Sequence, residues 1–256
     1  MTRTPDPNRL GGLEWARRTG GALTRAQRRR LLGEIAKGQV QNLAGRVRLA
    51  TGRLPAAARD VDVRSFAPPD SALAREAEQA CAEQSAPVIG HSYRTWLFGL
   101  ALSAVDGTDL DREQFYVAAL LHDHGIDHPT PARDFTIASA ERAIACAETS
   151  GAGREVGETI GDAICVHATP GVTLARDGAL GCYVQWGAMV DVAGLRAWDV
   201  SPDNRDAVVA AHPRNGFKRD IAALVRAERR AVPKGRFALL SRCGFAVAIR
   251  LAPFED

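Results

Sequence analysis

Apolar residues recur along most of this chain at intervals of three and four, the spacing of one face of an α-helix. In "TRAQRRRLLGEIAKGQVQNLAGRVRLA", residues 24–50, Leu31, Leu32, Ile35, Val40, Leu43 and Val47 mostly follow it. Thr24 and Gln27 stand at capping-box spacing, and Gly38 is expected to divide the stretch into two helices. Residues 51–69, with prolines at 55, 68 and 69, read as a connector. Asp70 or Ser71 can then cap a helix through about Glu83. "APVIG" reads as a break, and "HSYRTWLFGLALSAV" as a buried helix starting at His91. After the turn "DGTDLD", Asp111 and Gln114 open "REQFYVAALLHD".

Further helices are expected in "FTIASAERAIACAETSG", closed by Gly151, and in "EVGETIGDAICVHA", which ends near His167. "ALGCYVQWGAMVDVAGL" is apolar nearly all round, as in a central helix. "SPDNRDAVVAAH" and "FKRDIAALVRAERRA" continue the pattern, and the tail "RFALLSRCGFAVAIRLAPFE" suits helix or strand. No internal repeat and no alternation of strands with helices is visible. The fold class expected is all-α.

Composition adds little to that picture until charge is divided along the chain. The 256 residues are 46% hydrophobic and 25% charged, as in ordinary globular proteins. Residues 1–60 carry thirteen Lys/Arg against four Asp/Glu, a net of +9. Residues 61–256 carry twenty against twenty-six, a net of −6, which together give the overall +3. A basic helical segment, 1–60, is therefore expected to pack on a mildly acidic body. Nucleic acid or an anionic surface is the alternative partner for that segment. No run approaches the length of a membrane span, and the N-terminus lacks the apolar core of a secretory signal, so a cytoplasmic protein without a membrane partner is expected. Five dispersed cysteines fit reduced thiols better than a disulfide framework.

The chemistry concentrates where "VAALL" ends in His122-Asp123. Two antiparallel helices joined by a short turn would bring His91, at the start of the first, beside His122 and Asp123, at the end of the second. Asp191, flanked by Met189, Val190, Val192 and Ala193, would be costly to bury unpaired. Two imidazoles and two carboxylates make a nitrogen and oxygen set suited to a divalent metal. Each residue alone has a plainer reading. His91 and His122 could be hydrogen-bonded core histidines, Asp123 a cap, and Asp191 the partner of an arginine. His124 and His128 follow as candidates for the rim or a second ion.

In "HSYRTWLFG", "AALLHDHG" and "GAMVDVAG", taken in that order, the chain resembles the HD-domain superfamily of metal-dependent hydrolases. "PDSALAREAEQAC", Arg94 and Thr95 after the first His, "HATPG" and "HPRNGFK" make it most similar to the cyanamide-hydratase-like group. The resemblance covers about residues 65–230, with 1–60 and the tail 231–256 outside it. It implies an HD-type helical bundle holding one divalent metal, Zn or Fe(II) before Mn or Co, through His91, His122, Asp123 and Asp191. Superfamily members often hold a second metal through extra histidines; His124, His128 and His167 do not follow that pattern.

The chemistry implied is attack by a metal-activated water on a small-molecule substrate. His167 is the candidate proton carrier, and Arg94, His128 and Lys218 are candidate substrate contacts; for Arg94 a surface salt bridge is the favoured reading. Arg214 comes with the resemblance alone. Phosphohydrolysis of nucleotides or other phosphate esters is the alternative activity, and would require cations around the pocket. A non-catalytic ligand- or nucleic-acid-binding module is the third reading. The sequence leaves the oligomeric state open. Protein purified without chelator is expected to carry one divalent ion per chain by elemental analysis; two would implicate the extra histidines.

Overall fold

The computed structural model describes residues 9–256 and is 71% helical, with twelve α-helices and no strand among those residues. The class is all-α. Helix α1, Leu13–Thr19, packs on α6, Phe135–Thr149, and α7, Arg154–His167. Helix α2, Arg25–Ala50, begins with the full capping box between Thr24 and Gln27. It runs unbroken through Gly38, against the expected division: a single helical glycine costs only about 1 kcal/mol, which packing readily offsets. Helix α3, Ala72–Cys81, is capped by the Ser71 side chain, which accepts from the Ala74 N–H.

Helix α4, Ala86–Asp106, starts five residues before the expected boundary. "APVIG" is its opening rather than a break. Pro87 lies in the first turn, where a missing N–H leaves no hydrogen bond unmade. Asp127 fixes that end from outside, accepting from the Ser85 N–H at 2.8 Å and the Ser85 hydroxyl at 2.7 Å. His91 thus stands one turn inside the helix. Helix α5, Arg112–Leu121, returns antiparallel, with the Asp111 side chain capping Gln114.

Helix α8, Leu174–Ala193, is kinked at Gly178 and crosses α4. The crossing is backbone on backbone. A Cβ at Gly187 would collide with the Thr95 carbonyl, and one at Gly99 would meet the Phe115 ring and the Tyr183 carbonyl. This approach sets Asp191, near the end of α8, against His91 on α4. Helices α9, Pro202–Ala211, and α10, Phe217–Ala231, follow, and the tail forms α11, Arg236–Arg242, and α12, Phe245–Arg250.

The main apolar core joins residues of α3 to α8; a second cluster gathers Phe217, Ile221 and Val225 of α10 with Phe245 and Ile249 of α12. Buried Arg236 links the tail to the body. Its guanidinium donates to the Cys165 carbonyl at 2.5 Å, to Thr169 Oγ1 at 2.9 Å and to Asp134 Oδ1 at 2.9 Å. It also lies 5.2 Å from the Trp15 ring centre. The five cysteines are unpaired and four are buried. No helix among the described residues is long and apolar enough to cross a membrane.

Gly187→Val should destabilise the protein by about 1–3 kcal/mol or more, since an added side chain forces α8 off α4. Urea unfolding followed by circular dichroism measures it.

Candidate metal centre

Helix α5 ends in three apolar residues, Ala119, Leu120 and Leu121, all buried, and its exit delivers His122 and Asp123 to the interior. Asp123 has already left helical geometry, at φ −106° and ψ 9°. The antiparallel α4 brings His91 alongside. The Nε2 atoms of His91 and His122 are 3.2 Å apart, and Asp123 Oδ2 lies 3.7 Å from the first and 3.5 Å from the second. All three side chains are buried. This group could hold a metal ion.

The proton positions make the fit specific. His122 Nδ1 donates to the Ala119 carbonyl at 2.7 Å, and His91 Nδ1 donates to Asp191 Oδ2 at 2.7 Å. Burial pushes the His122 pKa down to about 3, so that ring is neutral and its only proton is on Nδ1. The bare Nε2 of His122 therefore faces the Nε2 of His91 with no acceptor between them. At 3.2 Å the two nitrogens share either a proton on His91 Nε2 or a cation between them. Four donors each about 2.1 Å from a tetrahedral ion stand roughly 3.4 Å from one another, which matches these separations better than hydrogen-bond geometry does. Both imidazoles also show the oriented Nδ1–H that ligand histidines require.

His167, at the end of α7, approaches from the other side of Asp123. Its Nε2 is 3.5 Å from Asp123 Oδ1, its Nδ1 donates to the Ile164 carbonyl, and its ring meets His122 edge-on at 4.8 Å between centres. Burial opposes ionisation of Asp123, yet the facing imidazoles, His122 foremost, hold its carboxyl well below the usual range.

Asp191 differs from the sequence expectation. It stands behind His91, not beside His122 and Asp123, and both its oxygens are engaged. Oδ2 faces His91 Nδ1 and, at 2.9 Å, Arg94 Nη2; Oδ1 accepts from Arg214. Burial opposes its ionisation, but Arg94, His91 and Arg214 outweigh it and bring its pKa to about 2. A carboxylate held by two guanidiniums has little charge left for a cation, and in this arrangement it accepts the Nδ1 proton of His91.

The expected substrate contacts also fall elsewhere. Arg94 is neither on the surface nor in the cavity. It is buried behind His91, with Nη1 donating to the carbonyls of His212 and Pro213 at 3.0 and 3.2 Å. Lys218 donates to the Phe254 carbonyl at 2.6 Å, and His128 is exposed, away from the cluster. His124 faces Glu83 at 3.3 Å. Phe217 was not singled out in the sequence. Its ring stacks on His91 at 5.0 Å, with the Arg94 and Arg214 guanidinium carbons 4.8 and 4.9 Å from its centre. The motif "HPRNGFK" is thus a brace for His91, its Arg and Phe acting through that ring.

His91, His122, Asp123 and His167 form the floor of a cavity of about 180 Å³. Its walls come from segments outside the region of resemblance as well as within it. Helix α2 supplies Glu34, Ile35, Gln39 and Asn42; the tail supplies Phe237, Leu240, Phe245 and Ala248; α10 supplies Ile221 and Val225. Gln185 lines the cavity and donates to the His167 carbonyl at 2.7 Å, holding that turn. The signal for these walls was too weak to read in sequence, being apolar residues at ordinary helical spacing. Among the described residues, no Lys or Arg side chain lines the cavity.

No family model matches the chain, and no curated protein is significantly similar to it.

Asp123→Ala should abolish metal binding, and Asp191→Asn should weaken it by about 10–100-fold without abolishing it, as expected for a group acting through His91. Titration against a competing chelator separates the two. In the metal-free protein, stability should fall as pH drops from about 6.5 toward 3, because the unfolded chain protonates His122 in that window and the folded one does not. Urea midpoints across that range check it.

Proposed function

We propose that this protein is a metal-dependent hydrolase or hydratase that acts on a small, uncharged and largely apolar molecule. The carrying observation is a buried His91–His122–Asp123 group with its ligand atoms turned toward one another at the floor of a largely apolar cavity. The resemblance of "HSYRTWLFG" and "AALLHDHG" to HD-domain sequences supports the same reading and suggests the cyanamide-hydratase-like branch. Zn or Fe(II) suits the donor set, with Mn or Co as alternatives.

His91, His122 and Asp123 would hold the ion. His167, 3.5 Å from Asp123 Oδ1 and outside that group, is placed to carry a proton to or from the substrate. A divalent ion bound there supplies a Lewis acid and a water acidified to near-neutral pKa. The chain's own residues set the remaining conditions. Asp191 and the Ala119 carbonyl keep the two imidazoles in the tautomer that presents Nε2. Phe237, Leu240, Phe245, Ile221 and Val225 exclude water and take up the apolar part of the substrate. Gln185 and Glu34 are the polar side chains that can orient a neutral polar end.

The phosphohydrolase alternative is less well supported. A phosphate group is recognised by cations and convergent donors, whereas Arg94 and Arg214 are committed to Asp191 and Lys218 to Phe254.

Metal-loaded protein should turn over neutral nitriles or amides with apolar substituents, and not phosphate esters; chelation should remove the activity and Zn or Fe(II) restore it. Turnover of phosphate esters alone would overturn the substrate assignment. His167→Ala should lower turnover while leaving metal affinity within a few-fold of wild type, read by the same chelator competition.

A further inference from the structure

Among the described residues, seven large apolar side chains are exposed, and six of them lie on or beside two neighbouring helices. Leu32, Val40, Leu43 and Val47 are on α2; Val247 is on α12 and Leu251 follows it directly. At about 100° per residue the four on α2 fall within an arc of about 80°, a single stripe along the helix. Val40 and Leu43 are 70% and 68% exposed, which is unusual for aliphatic residues arranged in line.

Opposite the stripe and along its edge, α2 is firmly seated. Gly45 lies so close to Trp198 that a Cβ would enter the indole ring. Gln39 Nε2 donates to the Cys243 carbonyl at 2.8 Å, Arg46 Nη1 to the Leu251 carbonyl at 2.9 Å, and Arg48 pairs with Asp199 at 3.1 Å. Helix α2 therefore has two apolar sides: Leu31 and Ile35 face the body, and the stripe faces outward, uncovered by any of the described residues. The Arg46 bond joins the stripe to Leu251 as one surface.

Charge identifies the occupant. Helix α2 carries seven Lys/Arg and one acidic residue, Glu34, which lines the cavity and not the outer face. Arg28 and Arg46 flank the stripe on one side, Arg30 and Lys37 on the other, and Arg25 and Arg29 extend it. A second copy pairing α2 on α2 would set cations against cations in either direction. A nucleic acid would satisfy the cations but leave Val40, Leu43 and Val47 with nothing to bury against. An anionic bilayer satisfies both, because its acyl boundary takes the stripe and its headgroups take the flanking cations.

We propose that the α2–α12 face docks on an anionic lipid surface, with α2 lying in the plane of the interface. This revises the expectation, drawn from the lack of an apolar span, that membranes play no part. The docked helices are also walls of the cavity, through Ile35 and Gln39 of α2 and Phe245 and Ala248 of α12. The docking does not depend on how the metal centre is read.

The test is sedimentation of the full chain with vesicles. Wild-type protein should sediment with phosphatidylcholine–phosphatidylglycerol vesicles, progressively less as salt rises, and not with phosphatidylcholine alone. Val40→Asn with Leu43→Asn should release it while helicity and metal content stay unchanged, both side chains being exposed. Arg28→Gln with Arg29→Gln and Arg30→Gln should weaken partitioning roughly a hundredfold, three headgroup contacts being lost. No sedimentation with anionic vesicles overturns the proposal, as does sedimentation that neither variant changes. A dimer by light scattering that Val40→Asn with Leu43→Asn dissociates, without vesicle binding, would assign the face to a second copy instead. Binding to nucleic acid that only the arginine variant weakens, again without vesicle binding, would overturn it in favour of that ligand.

Discussion

The carboxylate of Asp191 is the charge around which this interior is arranged. It is fully buried, and a lone carboxylate there would face a desolvation penalty of several kcal/mol. Arg94 from α4 and Arg214 from the loop before α10 neutralise it, and the remaining acceptor capacity goes to His91 Nδ1. Three segments distant in sequence are thereby held at one point. Removing either arginine would leave an underpaired charge in the core; removing the aspartate would leave two buried cations and an imidazole with an undefined tautomer. The orientation of His91, and so the spacing of the donor group, follows from this balance. Phe217 closes it from the side, its ring against His91 and both guanidiniums.

Much of this was legible in the sequence. The His122-Asp123 pair at the end of an apolar run announced itself, because a helix has no structural reason to end its buried face in two polar residues. The antiparallel α4–α5 hairpin followed from the short turn, and brought His91 to the same end. Capping signals located the starts of α2, α3 and α5. Asp191 was correctly singled out as a carboxylate too costly to bury alone, but the sequence could not choose its partner. A metal, a hydrogen-bond network and an arginine all satisfy the same requirement, and only tertiary contact distinguishes them. The start of α4 was misplaced because Pro87 and Gly90 read locally as breakers, while the restraint on Ser85 comes from Asp127, forty-two residues away. The continuity of α2 escaped for a similar reason. Its two apolar sides blur the period that marks a simple amphipathic helix, and its seat on Trp198 is a long-range contact.

The distribution of cations gives the molecule its chemical character. The arginines of α2 mostly face outward, those near the centre are turned to Asp191, and Arg236 is spent on Asp134 and two backbone turns. The cavity between them is left to aliphatic and aromatic walls with a nitrogen-rich floor. Around the rim of such a compartment an anion would lose hydration without gaining a side-chain counter-charge.

Arg236 has a mechanical consequence. Its guanidinium grips the carbonyl of Cys165 and the hydroxyl of Thr169, the two ends of the turn that carries His167, and at the same time Asp134 at the head of α6. The α11 wall of the cavity and the turn beneath it are therefore one lever. Displacing α11 to widen the compartment would drag His167 with it, and the donor atoms with the wall.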